Sequence, residues 1–258
     1  MSLQPARPLE QHPKAIVVGA SVGIGAALVH ELAHAGYSVA AVARRETELQ
    51  QLADTINTAV SGPNRVLTYT HDVTDFDAIP GLFQTITGDL GGLDLIIYNA
   101  GAMPAMTADE YNFAKDKLMV DVNLLGAMAW LGEAAVRFTR AKKGQIAGIS
   151  SIAADRGRRL NPGYNASKAG FTTYLEALRN RLSQHGVTVT TIKPGFVQTA
   201  MLDDAPRVFW VISTSEAARQ IMRAIRHKRQ SVYIPWRWGL VSRIIQMIPS
   251  FIFRRLNV

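Results

Sequence analysis

The chain has 258 residues, 48% of them hydrophobic and 19% charged, which suits one globular domain with a sizeable core. It has no Cys, which excludes disulfides, thiolate nucleophiles and Cys-ligated metals and is compatible with a reducing cytoplasm. The net charge of +8 is unevenly placed: residues 1–216 carry 19 Lys+Arg against 20 Asp+Glu, and residues 217–258 carry nine Lys/Arg and no acid. A near-neutral body argues against nucleic acid as a partner, and a basic end suits a local surface such as phospholipid or an acidic partner.

Residues 1–13 contain three Pro and lack the apolar core of a secretory signal, so a loose arm is expected there. KAIVVG (14–19) is a short apolar run that predicts a buried strand. GASVGIG follows, then a helical stretch. Gly19, Gly23 and Gly25 mark sharp bends or close backbone approach, with Ser21 and Ile24 between them. The N-terminus of the next helix offers unpaired N–H groups to a phosphate. The spacing is G-x-x-x-G-x-G rather than the commoner dinucleotide fingerprint.

YSVAAVA (37–43) predicts a second strand, followed by Arg44 and Arg45. An Arg at this point suits a 2′-phosphate, where an acid would suit a free ribose 2′-OH. Two solvated residues opening a helix is the other reading. Residues 46–57 look helical. RVLTYTHDV (65–73) predicts a third strand ending at Asp72, which either meets an adenine amino group or caps a helix starting near Asp75. A helix over 77–89 and a fourth strand, LDLIIYNAG (93–101), follow. One long helical region is expected from Thr107 to Lys142, and Asn123 inside it needs a reason, since Asn is a poor helix former. QIAGISS (145–151) predicts the fifth strand. Asn161 as cap and Pro162 at the first position predict a helix carrying Tyr164 and Lys168 one turn apart on one face. VTVTTIKPG (187–195) and SVYIP (231–235) predict two more strands, around a helix capped by Thr214 or Ser215.

The strict alternation predicts an α/β fold, a Rossmann-like doubly wound parallel sheet of about seven strands with helices on both faces. The singled-out residues fall at the carboxyl ends of the strands, where such sheets bind ligands.

The chain resembles the short-chain dehydrogenase/reductase family over residues 14–235. The matching motifs are GASVGIG, Asp72–Val73, YNAG (98–101), Asn123 in VNLLG, the Ser151/Tyr164/Lys168 set, and PGFVQTAM (194–201). Val18 stands where that family commonly has Thr. The resemblance implies an NADP(H)-dependent oxidoreductase, with NAD(H) disfavoured. Tyr164 would be the general acid or base, Lys168 would lower its pKa and hold the ribose, Ser151 would hold the substrate oxygen, and Asn123 would hold a water. Asn99, Ala100, Gly101, Pro194, Gly195, Val197 and Thr199 would complete the cofactor site. Ala102, Met103, Ile152, Ala153, Leu160, Phe196 and Met201 would line an apolar substrate site, suiting a lipophilic ketone or aldehyde. Arg156, Arg158 and Arg159 either meet an anionic group or lie in solvent. A homodimer or homotetramer is expected, without nucleic acid. A dinucleotide-sensing regulator and a membrane-associated scaffold are the rival classes.

Residues 236–258 form a basic amphipathic extension. Leu240, Val241, Ile244, Ile245 and Ile248 share helical spacing, with Arg243 and Gln246 opposite, and Pro249 ends the helix. It is too short and mixed to span a bilayer. Three roles stay open: packing over the cleft, a subunit interface, and peripheral contact with the inner face of a membrane by an otherwise cytoplasmic protein.

Overall fold

The computed structural model describes residues 12–60, 65–202 and 208–256. Residues 1–11 of the expected arm, and the last two of the expected extension, lie outside the described residues.

The seven apolar runs form seven strands of one sheet: β1 Lys14–Val18, β2 Ser38–Ala43, β3 Val66–Thr70, β4 Leu95–Tyr98, β5 Gly144–Ile149, β6 Val187–Pro194 and β7 Ser231–Ile234. Their order is β3-β2-β1-β4-β5-β6-β7 and every pairing is parallel. Crossover helices cover both faces, so the central strands are buried on both sides and read as continuous apolar runs rather than alternating ones. Helices α1 (Gly23–His34), α2 (Glu46–Ala59) and α7 (Thr214–Arg226) bury Leu28, Leu49 and Ile221 with Val17 and Ile97. Helices α3 (Ile79–Asp89), α5 (Gly126–Ala141) and α6 (Pro162–Leu182) bury Phe83, Trp130, Phe138 and Phe171 on the other face. The strand order reverses between β1 and β4, and the crevice there is where such a fold takes a ligand.

Several boundaries differ from those expected. The third helix starts at Ile79, because the chain first makes two turns, one closed by the Asp75 N–H on the Asp72 carbonyl and the next by the Ile79 N–H on the Phe76 carbonyl. The long helical region starts at Phe113, where Asn112 Oδ1 accepts the Lys115 N–H, making α4 Phe113–Val120. Between α4 and α5 the helix widens: the Gly126 N–H bonds the Asp121 carbonyl five residues back. The stretch Phe113–Ala141 is long and apolar enough to cross a membrane; its most apolar 18 residues have mean hydropathy 1.3, and 44% of those are buried. Ser213, one residue before the expected cap, accepts the Glu216 N–H and starts α7. Asn161 does precede α6 with Pro162 first, but it sits at φ 53° and its side chain makes no cap bond. The chain ends in α8 (Arg237–Met247) and α9 (Ser250–Phe253).

Candidate active site

The turn after β1 is closed by atoms alone. A Cβ on Gly25 would lie 2.0 Å from the Gly19 carbonyl oxygen, and one on Gly19 would lie 2.5 Å from the Ala100 nitrogen. Asn99 Nδ2 donates to the Gly19 carbonyl at 2.7 Å, and the Asn99 and Ala100 N–H groups both bond the Val18 carbonyl. Main-chain bonds thus hold the turn around Val18. Gly23, at φ 62°, lies beneath Thr199, whose methyl would be 3.2 Å from an added Cβ, so the loops after β1 and β6 meet. No side chain caps α1, which leaves its first N–H groups free of side-chain partners. Arg45 donates to Ser21 Oγ at 3.2 and 3.3 Å, and Arg44 donates to Asp72 at 3.3 Å. Both guanidiniums are largely exposed. Asp72 is also bonded by Thr74 N and Oγ1, and these contacts with Arg44 hold its carboxyl below the usual carboxylate range against the opposing effect of burial. Val73 is buried against Gly126.

Across the crevice, the widened turn turns Asn123 inward, where it is fully buried. Such single wide turns recur at functional sites. Asn123 Oδ1 accepts from Ala102 N at 2.7 Å, and its Nδ2 donates to Ser167 Oγ and the Ala102 carbonyl, both at 3.0 Å. A Cβ on Gly101 would be 3.4 Å from Asn123 Oδ1 and 3.5 Å from Lys168 Nζ, so this glycine lies against both polar groups. Lys168 is 3% exposed; its Nζ donates to the Ile149 carbonyl at 3.0 Å, and burial pushes its pKa down to about 8. Tyr164 is buried, and that burial raises its phenol above the ordinary value, opposed by a hydrogen bond with Ser151 and by the charge of Arg158. Arg158 is thus one cation that acts on the phenol. Lys168 Nζ stands 5.8 Å from the Tyr164 ring centre.

The apolar side of the crevice gathers Tyr164, Ala153, Met119, Met103 and Met106. Met106 and Met119 were not singled out from sequence, although Met119 lies one turn before Asn123. Ile152 is buried, whereas Leu160 and Met201 are exposed. Phe196 joins an aromatic cluster with Phe209 and Trp238, at ring distances of 5.0 to 5.6 Å. Gly195 is pressed against Trp238, and Pro194 and Val197 are buried beside it.

The three loop arginines divide. Arg159 is exposed. Arg158 has a buried Nε without a hydrogen-bond partner, and burial holds its guanidinium below the ordinary value. Arg156 donates to the carbonyls of Ile245, Gln246 and Ile248 at the end of α8, and its guanidinium lies 4.0 Å from the Phe253 ring centre. Asp155, absent from the sequence reading, accepts from Lys193, Tyr233 and Ser242. The loop between Ser151 and Tyr164 is thus tied to the C-terminal extension. An open groove of about 780 Å³ lies at the opposite end of the sheet, by Lys14, Gly92 and Asp94, and holds none of these groups.

Residues 13–207 match the family model described as short chain dehydrogenase. An uncharacterized oxidoreductase of Myxococcus xanthus (strain DK1622) is 33% identical over 241 residues, covering 93% of this chain and 94% of the relative. Ketoacyl reductase HetN of Nostoc sp. (strain PCC 7120) is 29% identical, over 85% of this chain and 77% of that protein. Among solved structures, an actinorhodin polyketide ketoreductase with NADPH superposes with a TM-score of 0.79 at 23% identity, over 88% of this chain and 97% of that one, which shows a shared fold. The glycine turn at the sheet's switch point and the matched stretch from residue 13 to 207 have one conclusion: the chain belongs to the short-chain dehydrogenase family of oxidoreductases.

Proposed function

We propose that the protein interconverts a lipophilic ketone or aldehyde and its alcohol with NADP(H), with Tyr164 as proton donor and acceptor. The observation that carries this reading is the convergence of Ser151, Tyr164, Lys168 and Asn123 from three separate segments on one crevice. The relative named ketoacyl reductase and the structural neighbour holding NADPH support it.

The crevice fits a dinucleotide. Gly23 and Gly25 let the backbone turn tightly into α1, and the uncapped start of α1 supplies N–H donors for a pyrophosphate. Ser21, Arg44 and Arg45 form a basic, exposed cluster suited to a 2′-phosphate, and Asp72 lies where an adenine edge would come. Lys168 Nζ, beside Gly101, would take the nicotinamide ribose hydroxyls, and Thr199 the carboxamide. When bound, the nicotinamide supplies or receives the hydride.

The remaining work falls to side chains. Ser151 Oγ holds the substrate oxygen beside the Tyr164 hydroxyl. A phenol held above its ordinary value is protonated across neutral pH, so Tyr164 is set to give a proton to a carbonyl oxygen. Arg158 and Lys168 then stabilise the phenolate left behind, and Asn123 lies between Lys168 and Ala102 on the route for reprotonation. Such acid–base assistance contributes about 10²–10⁴-fold. The apolar wall of Met103, Met106, Met119 and Ala153 favours a lipophilic substrate.

Tyr164→Phe tests the assignment. Turnover of alkyl and aryl ketones with NADPH is expected to fall by about a hundredfold or more, with NADPH affinity, read by fluorescence titration, nearly unchanged. Turnover retained in the variant would remove Tyr164 from the mechanism.

A further inference from the structure

Helix α8 is apolar on two sides, not one. Trp238, Val241, Ser242 and Ile245 face the body, where they line a narrow cleft with Ile152, Asp155 and Arg158. The single stripe expected from sequence is therefore split. Trp236, Leu240, Ile244 and Met247 lie on the other side, in steps of four, four and three residues, and expose between 51% and 82% of their surface. Phe251, Ile252 and Leu256 are exposed beyond them. Residues 208–211, VFWV, are exposed as well, and Phe209 and Trp210 stack on Trp238 at 5.0 and 5.6 Å, which joins them to the same end of the molecule. An apolar surface of this extent marks an interaction site.

The charge around it chooses the partner. Arg243, Arg254 and Arg255 are exposed, and Arg237 lies 5.0 Å over the Trp210 ring. From residue 217 to the end the sequence has nine basic residues and no acid. A second copy docking on this face would set two such basic segments against each other. An anionic lipid surface complements it, with Trp at the headgroup level and apolar side chains below. At 11 residues α8 is about 16 Å long and lies along an interface rather than across a bilayer.

We propose that the outer face of α8, α9 and residues 208–211 docks the protein on an anionic bilayer. The inner face of the same helix is held to the loop between Ser151 and Tyr164 by Arg156 and Asp155. Docking therefore sets the apolar mouth of the crevice against the lipid, where a lipophilic carbonyl concentrates. That consequence rests on the proposed chemistry; the docking does not.

Flotation of the full chain with phosphatidylcholine vesicles, with and without one part in about three of phosphatidylglycerol, reads docking without reading turnover. The protein is expected to float with the anionic vesicles, less with the neutral ones, and less at high salt. Leu240→Glu with Ile244→Glu is expected to cut flotation at least tenfold, with melting temperature and turnover of a water-soluble carbonyl unchanged. Arg254→Gln with Arg255→Gln is expected to cut it about fivefold per arginine. Equal lipid recovery of the wild type and the Leu240/Ile244 variant overturns the proposal, as does a wild type that stays in the aqueous fraction. Light scattering after size exclusion covers the rival occupant. An oligomer that the Leu240/Ile244 variant breaks, without vesicle binding by either protein, makes the face a contact between copies and overturns lipid docking.

Discussion

The two walls of the crevice are built by opposite means. The wall from β1 to β4 works by removing side chains: Gly19 and Gly25 sit where a single added carbon would strike backbone at 2.5 and 2.0 Å. The wall from β6 to α8 works by adding them: Phe196, Phe209, Trp210 and Trp238 pack ring against ring. A cofactor of fixed shape is met by fixed backbone, because N–H groups and helix ends cannot rearrange. A wall made of side chains can be recast by substitution without touching the sheet.

The largest expected effect breaks the first wall. Gly25→Ala puts a methyl group into the Gly19 carbonyl, and backbone cannot turn aside as a flexible side chain can. A loss of about 3 kcal/mol in stability is expected, together with loss of NADPH binding. Gly132→Ala, in α5 with nothing within 4 Å of the added carbon, is the control and should be neutral or stabilising by up to about 1 kcal/mol. Melting curves with and without NADPH check both; equal behaviour of the two variants would mean that the turn is not closed as described.

The second wall is held by a polar bolt rather than by its rings. Asp155 is nearly buried with Lys193, and it also takes the hydroxyls of Tyr233 and Ser242, from β7 and α8. Asp155→Ala leaves the Lys193 ammonium uncompensated, and breaking a buried pair on one side costs about 3–5 kcal/mol. For a chain of this size that is a fall in Tm of about 10 °C, and the loosened C-terminal segment should be cut first in limited proteolysis. An unchanged Tm would show the bolt to be idle.

The sequence exposes the first wall far better than the second. Short β-rich runs alternating with helical stretches made all seven strands legible, including the part-exposed edges β3 and β7, and glycines at strand ends mark the turn without reference to distant residues. Tyr164 and Lys168 were legible through spacing within one helix. Asp155 and Arg156 were not, because their partners lie 38 to 92 residues away and only the folded sheet brings them together. The widened turn at Asn123 was not either: its bonding register leaves no local signature, and Asn123 drew notice as a poor helix former and through the VNLLG motif. The split of α8 escaped because a helix apolar on two sides shows the same i, i+3, i+4 spacing as one apolar on a single side.

The smallest effect sharpens the contrast at the first wall, where Arg44 and Arg45 stand exposed at the end of β2. Arg44 is 66% exposed and pairs with Asp72 at 3.3 Å. Exposed pairs of this kind contribute about 0–1 kcal/mol, so Arg44→Asp should leave Tm within a few degrees of the wild type. Its effect belongs to the ligand. Losing a charge-assisted bond to a 2′-phosphate costs about 1.5–3 kcal/mol, or roughly ten- to a hundredfold in NADPH affinity. The new carboxylate adds repulsion toward that phosphate but can accept a bond from a free 2′-hydroxyl. NADH affinity should therefore hold or improve while NADPH affinity falls, as measured by titration of both against both proteins. Equal losses for the two cofactors would assign Arg44 to the shape of the turn and leave the 2′-phosphate to Arg45 and Ser21, whose hydrogen bonds already join them across the mouth of the glycine turn.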